Sequence, residues 1–219
     1  MTDIFEHMRE RRRILREAIG YQKEFEVWEE SCVPSYCHPN PAAALISWMR
    51  LFAAAGMGKK VGPPMKHVLD FGSSIGELGH LFPKDVQYDF VESHDAAAAF
   101  LSKQLPNARR TTLEAIPPGT YDHIFAIDSL EHNTDYAELL ATLVTKLSPG
   151  GVLVLSGPTE NWLYRLGRKI AGFEGHYHET NIHAIEAAAT KILTRRKVRT
   201  ILPLVPLFRV TAWQKAGDA

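Results

Sequence analysis

The chain has 219 residues, 45% hydrophobic and 23% charged, the proportions of one compact domain long enough to bury a full core without covalent staples. Lys plus Arg and Asp plus Glu each number 25, so the formal charge is zero, which argues against a dedicated nucleic-acid binder. Two cysteines, Cys32 and Cys37, are too few for a disulfide framework, no apolar run approaches the roughly 20 residues that span a bilayer, and MTDIFEHMRERRR lacks the apolar core of a secretory signal, so a reduced, cytoplasmic chain is expected.

Residues 2 to 31 read as one helical block, with Ile4, Met8, Ile14, Leu15, Ala18, Ile19, Phe25 and Trp28 at helical spacing and Gly20 as the break. Arg9, Arg11, Arg12 and Arg13 read as a solvated face, offset by Glu6, Glu10 and Glu17. After the turn-rich SCVPSYCHPNPA, a second helix is expected over 42–55, closed by Gly56 and Gly58. These elements form an N-terminal helical cap over 1–60, ahead of a single unit over 61–219. Within that unit, strands are expected at 67–71, 87–92, 109–113, 122–127 and 151–156, and helical stretches near 76–82, 94–104, 134–147, 160–172 and 181–194. Such alternation with short connections implies an α/β fold, a doubly wound parallel sheet with helices on both faces. Val198–Leu204 and Leu207–Gln214 have no helix between them and should pair as an antiparallel hairpin at the end of that sheet.

The segment VLDFGSSIGELG, from Val68 to Gly79, carries the most information. A strand ends at Asp70, Gly72 permits a tight turn, Ser73 and Ser74 are small, and Gly76 opens a helix. Ligands of open parallel sheets sit beyond the carboxyl ends of the strands, and a loop of small residues there lets backbone N–H groups come close to them. A dinucleotide fingerprint starting at Gly72 would need glycines at 74 and 77, where Ser74 and Glu77 stand, so a nicotinamide oxidoreductase is disfavoured. No Gly-Lys-Ser/Thr is present to make a phosphate-cradling loop. Glu92, at the end of the second strand, is placed to accept from two ribose hydroxyls, the paired oxygens of a carboxylate suiting a cis-diol.

Val68 to Gly79, Glu92, the run Tyr121 to His132 (YDHIFAIDSLEH) and the run Leu147 to Val154 (LSPGGVLV) together resemble the class I S-adenosylmethionine-dependent methyltransferases, in order and with fitting gaps from Lys66 to Gly157. The resemblance implies a Rossmann-like seven-stranded sheet with an antiparallel final strand, and S-adenosyl-L-methionine as cofactor. It implies that Asp70, Gly72, Ser73, Ser74 and Gly76 hold the cofactor's methionine portion, that Glu92 takes the ribose, that Thr112 and Leu113 flank the adenine, and that Asp128 lies beside the methionine portion. Two departures stand out: Ser74 replaces a common glycine, and Thr112 replaces a common acidic residue.

Methyl transfer from a sulfonium needs the nucleophile, methyl and sulfur held in line, and a base only when the acceptor must lose a proton. His132, His176 and His178 are the candidate catalytic residues, because the segment after the fifth strand forms the acceptor rim in the resembled family. A metal site from His176, His178, Glu179 and His183 is disfavoured, since 178 to 183 is not the spacing that puts two ligands on one helix face. Cys32, Cys37 and His38 lack a fourth ligand and read as ordinary thiols beside a histidine. The amphipathic segment 159–175 reads as packing or as a lid, and contact with a membrane surface is left open but unfavoured. The expected partner is a small-molecule acceptor. The alternative is a non-catalytic, cofactor-binding or partner subunit of the same fold.

Overall fold

His67–Phe71 forms β1, buried from Val68 onward, because a run of apolar side chains in a strand flanked on both sides must be covered on both faces. The computed structural model describes residues 4–19, 33–159, 180–202 and 206–217. Around β1 lie β2 (Gln87–Val91), β3 (Arg109–Arg110), β4 (Tyr121–Ile127), β5 (Leu147–Pro158), β6 (Thr194–Ile201) and β7 (Phe208–Gln214), in one seven-stranded sheet of order β3-β2-β1-β4-β5-β7-β6. β1 to β5 pair in parallel, while β7 runs antiparallel to both β5 and β6. The expected sheet with its reversed final strand is thus present, and the order reverses between β1 and β4.

The helices are α1 (Ile4–Ile19), α2 (Val33–Tyr36), α3 (Pro41–Val61), α4 (Asp95–Gln104), α5 (Tyr136–Lys146) and α6 (Ile182–Thr190). One face of the sheet is covered by α1, α3 and α4 through Leu15, Trp48, Ala54 and Leu101 against Val68, Phe90, Phe125 and Val152. The other is covered by α5 and α6 through Leu140, Leu143, Ile185 and Ala189 against Leu69, Ile124, Leu153 and Trp213. The hydroxyl of Tyr121 and the guanidinium of Arg109 both donate to Asp89, tying β2 to β4 and β3.

Four expectations are corrected. Gly56 and Gly58 do not end α3, which starts on an Asn40 cap accepting from the Ala42 amide and runs to Val61. No α-helix forms over 76–82: Gly76 has a left-handed backbone (φ 79°), and only a single 3-10 turn, Gly79–Leu81, precedes Pro83. The hairpin's first strand starts at Thr194, not Val198, because a basic edge strand, TRRKVRTI, carries no apolar run to announce it. β3 is cut to two residues, since after the Thr111 amide bonds the Phe90 carbonyl the chain turns away through Thr112. The helical expectations over 20–31 and 160–172 lie outside the described residues, as do Cys32, His176 and His178.

Candidate functional site

The carboxyl ends of β1, β2 and β4 converge where the strand order reverses. Leaving β1, the chain takes left-handed backbone at Gly72 (φ 70°), Ser74 (φ 49°) and Gly76 (φ 79°), every second residue. A Cβ on Gly72 would lie 2.3 Å from the Ser129 Cβ, so only glycine lets the loop after β1 close against the end of β4. Ser74 takes the same conformation with a side chain, a local strain that the surrounding bonds must hold.

Those bonds are specific. The amides of Gly72 and Ser73 donate to the Val91 carbonyl at 2.9 and 3.3 Å, and the Gly76 amide donates to the Ser73 carbonyl at 3.0 Å. The Glu92 carboxylate accepts from the Ser74 amide at 2.6 Å and from the His94 amide at 2.8 Å. The loop's amides are therefore largely engaged within the protein, contrary to the expectation that they face a ligand. The groups left over are hydroxyls: the Oγ atoms of Ser73, Ser74 and Ser129 are buried without a hydrogen-bond partner among the described residues. Buried hydroxyls that find no partner within the protein are costly unless something polar meets them.

Asp70, at the end of β1, is buried with its Oδ2 accepting from the Tyr88 hydroxyl at 2.5 Å. Burial pushes its carboxyl up to about 7, the Tyr88 bond opposing this and the nearby Glu92 adding to it. Tyr88 is in turn raised well above its ordinary value by burial and by Asp70. Asp128, just past β4, is also buried and left-handed (φ 52°). Its amide donates to the Ser156 carbonyl at 3.0 Å, and its Oδ1 accepts from the Ser156 hydroxyl at 3.0 Å. Its Oδ2 forms a buried ion pair with Arg50 of α3, whose guanidinium also lies 4.1 Å over the Phe208 ring.

Asp70, Gly72, Ser73, Ser74, Gly76, Glu92 and Asp128 are thus gathered in one place. Leu113 is buried with the side chains that α5 and α6 pack on the sheet, and Thr112 is exposed; the Glu114 carboxyl is held below its usual value first by a bond from its own backbone amide and then by the Thr112 hydroxyl. His132 sits exposed on the 3-10 turn Leu130–His132 that follows β4. Tyr88 and Arg50 escaped the sequence reading because their contacts join residues distant along the chain, with no local pattern to mark them.

A profile described as a methyltransferase domain matches residues 41–192, well over half of the chain. The chain belongs to this methyltransferase family. No curated protein matches the sequence of this methyltransferase. Among solved structures it is similar to the N-methyltransferase NodS of Bradyrhizobium japonicum, solved with S-adenosyl-L-homocysteine, at a TM-score of 0.63 and 13% identity, covering 78% of this chain and 88% of NodS. It is similar to a chain in the complex of the Haloferax volcanii Trm112 methyltransferase activator with a putative methyltransferase (TM-score 0.62, 11% identity, 89% of this chain and 96% of that one). It also resembles phosphoethanolamine N-methyltransferase 2 of Haemonchus contortus, solved with S-adenosyl-L-methionine, at a TM-score of 0.58 and 16% identity, over 77% of this chain and 52% of the other. These structures share the fold, and S-adenosylmethionine or its demethylated product is bound in two of them.

The residues present in this methyltransferase fit such a cofactor. Three buried hydroxyls without partners among the described residues border a glycine-closed loop, and a carboxylate with spare lone pairs stands at the end of the neighbouring strand. Among the described residues no group of three or more His, Cys, Asp or Glu side chains is placed to hold a metal ion, and no helix is long and apolar enough to cross a membrane.

Proposed function

We propose that this methyltransferase transfers a methyl group from S-adenosylmethionine to a small-molecule acceptor by in-line displacement. The observation that carries the reading is the trio of buried hydroxyls on Ser73, Ser74 and Ser129, unpartnered among the described residues and set where the β1 loop closes on β4. When bound, S-adenosylmethionine would supply an electrophilic methyl: an acceptor's lone pair would bond the methyl carbon while the carbon–sulfur bond breaks, its electron pair staying on sulfur as a neutral thioether.

In this reading the serine hydroxyls, with Gly72 and Gly76 giving room, hold the amino-acid end, and Asp70 and Asp128 support them. Glu92 keeps its two backbone bonds and adds the ribose hydroxyls, each carboxylate oxygen having a second acceptor site. Thr112 and Leu113 flank the adenine. His132, and His176 and His178 beyond the described residues, orient the acceptor or take its proton. Because Asp128 is engaged by both Arg50 and Ser156, it acts as a fixed support rather than as the base.

Calorimetry with S-adenosylhomocysteine tests the first half. Glu92→Ala removes two charge-assisted acceptors at once, each worth about 1.5–3 kcal/mol, so affinity should fall at least roughly a hundredfold. Wild-type protein that gives no binding heat would defeat the reading. Transfer of a labelled methyl is then followed across panels of small amines, phenols and carboxylates. Label appearing only on protein or nucleic acid would defeat the small-molecule part alone.

A further inference from the structure

The buried stripe of α1 contains a charge. Met8, Arg11 and Leu15 follow one another at helical spacing and all three are buried, so Arg11 stands among core side chains, which corrects the solvated face expected for it together with Arg9, Arg12 and Arg13. Its guanidinium meets Glu77 in a two-bond fork, Nε to Oε2 at 2.9 Å and Nη2 to Oε1 at 2.7 Å, with Arg11 6% and Glu77 2% exposed. A third donor reaches Oε1 of Gln104 at the end of α4, at 3.4 Å. Glu77 directly follows Gly76, the last left-handed residue of the β1 loop.

A buried ion pair contributes little net stability, since desolvation offsets the attraction, and well-packed apolar side chains serve as well or better. What the fork does provide is geometry. It fixes the end of the β1 loop from a helix 66 residues away in sequence, while Gly76 lies close against Leu101 and Gly79 against Tyr88 and Leu105. The loop between them has little room to drift.

We propose that Arg11 is a positioning residue for the cofactor, and that α1 is a clamp whose docking and cofactor binding reinforce each other. This rests on the cofactor reading above, which wild-type binding checks separately. Coupling of this kind is reciprocal: what tightens the loop for the cofactor is tightened by it.

The test pairs calorimetry with hydrogen exchange, on the full chain with S-adenosylhomocysteine as probe. Arg11→Met should weaken binding by about tenfold, within the range common for coupled sites, while Arg13→Met, which breaks only an exposed pair with Glu17, should leave it unchanged. In wild type the ligand should slow exchange of amides in residues 4–19, and in Glu77→Gln this slowing should disappear. Should Arg11→Met fail to fold because Glu77 is left buried alone, Arg11→Met with Glu77→Met replaces the pair by apolar volume. A stable double variant with weakened binding supports the clamp, and one that binds as wild type does overturns it. Exchange in α1 that ignores the ligand overturns it too. Wild type that binds nothing defeats the cofactor reading and the clamp with it, whereas wild-type binding with an indifferent Arg11→Met defeats the clamp alone.

Discussion

Asp70 combines near-complete burial with a carboxyl pushed up to about 7, burial being the main cause, the Tyr88 bond opposing it and Glu92 adding to it. Between its ordinary value near 3.8 and about 7, the folded protein holds a proton that the unfolded chain has released. Stability from this group is therefore greatest at low pH and declines as pH rises through that window. Asp70→Asn stays neutral throughout, so the melting temperature of the variant relative to wild type should climb from about pH 4 to about pH 8. A gap that stays constant would show that the carboxyl does not titrate there. Asp70, Gly72, Gly76 and Glu92 were legible in the sequence because strand ends and small-residue turns leave local marks. Tyr88, which bonds Asp70, left none: a tyrosine in a strand reads as core, and nothing local says where its hydroxyl ends up.

The helix α3 shows how an element's neighbours override its own signals. Two glycines near its end read as a stop, yet Gly58 is where the helix lies against β4: a Cβ there would sit 2.7 Å from the Phe125 Cζ. The missing side chain allows the approach, and packing of α3 on β4 to β7 sustains the helix through the weak spot. Gly58→Ala gains helix propensity of about 1 kcal/mol but overpacks the contact at a cost of roughly 1–3 kcal/mol. The net outcome should be a lower denaturation midpoint, with Gly56→Ala, whose Cβ meets nothing within 4 Å, moving the other way. Equal shifts in the two variants would mean that α3 and β4 do not lie so close. The same logic explains the loss of a helix after β1. Small residues that free the loop to take left-handed turns also remove the propensity for the helix expected there, so the loop's character and the helix could not both be read from the same glycines.

At the scale of the molecule, the alternation of strands and helices from residue 67 onward made the doubly wound sheet legible, and the absence of a helix before the last strand made its reversal legible. Less legible was the edge, where Arg195, Arg196, Lys197 and Arg199 build a strand from charged residues held by backbone pairing to β7. Removing residues 208 onward should abolish a cooperative thermal transition, because both β5 and β6 lose their antiparallel partner. A truncated chain that still melts sharply would show that the first six strands suffice. The strand order also has a bearing on synthesis. β7 threads between two strands that emerge from the ribosome before it, so β5 and β6 must wait as separate edges, each with an open row of amides and carbonyls, until the later segment arrives. That interval is when a newborn chain is most exposed to mispairing with its neighbours, and the cluster of arginines and lysine along β6 supplies like-charge repulsion through it.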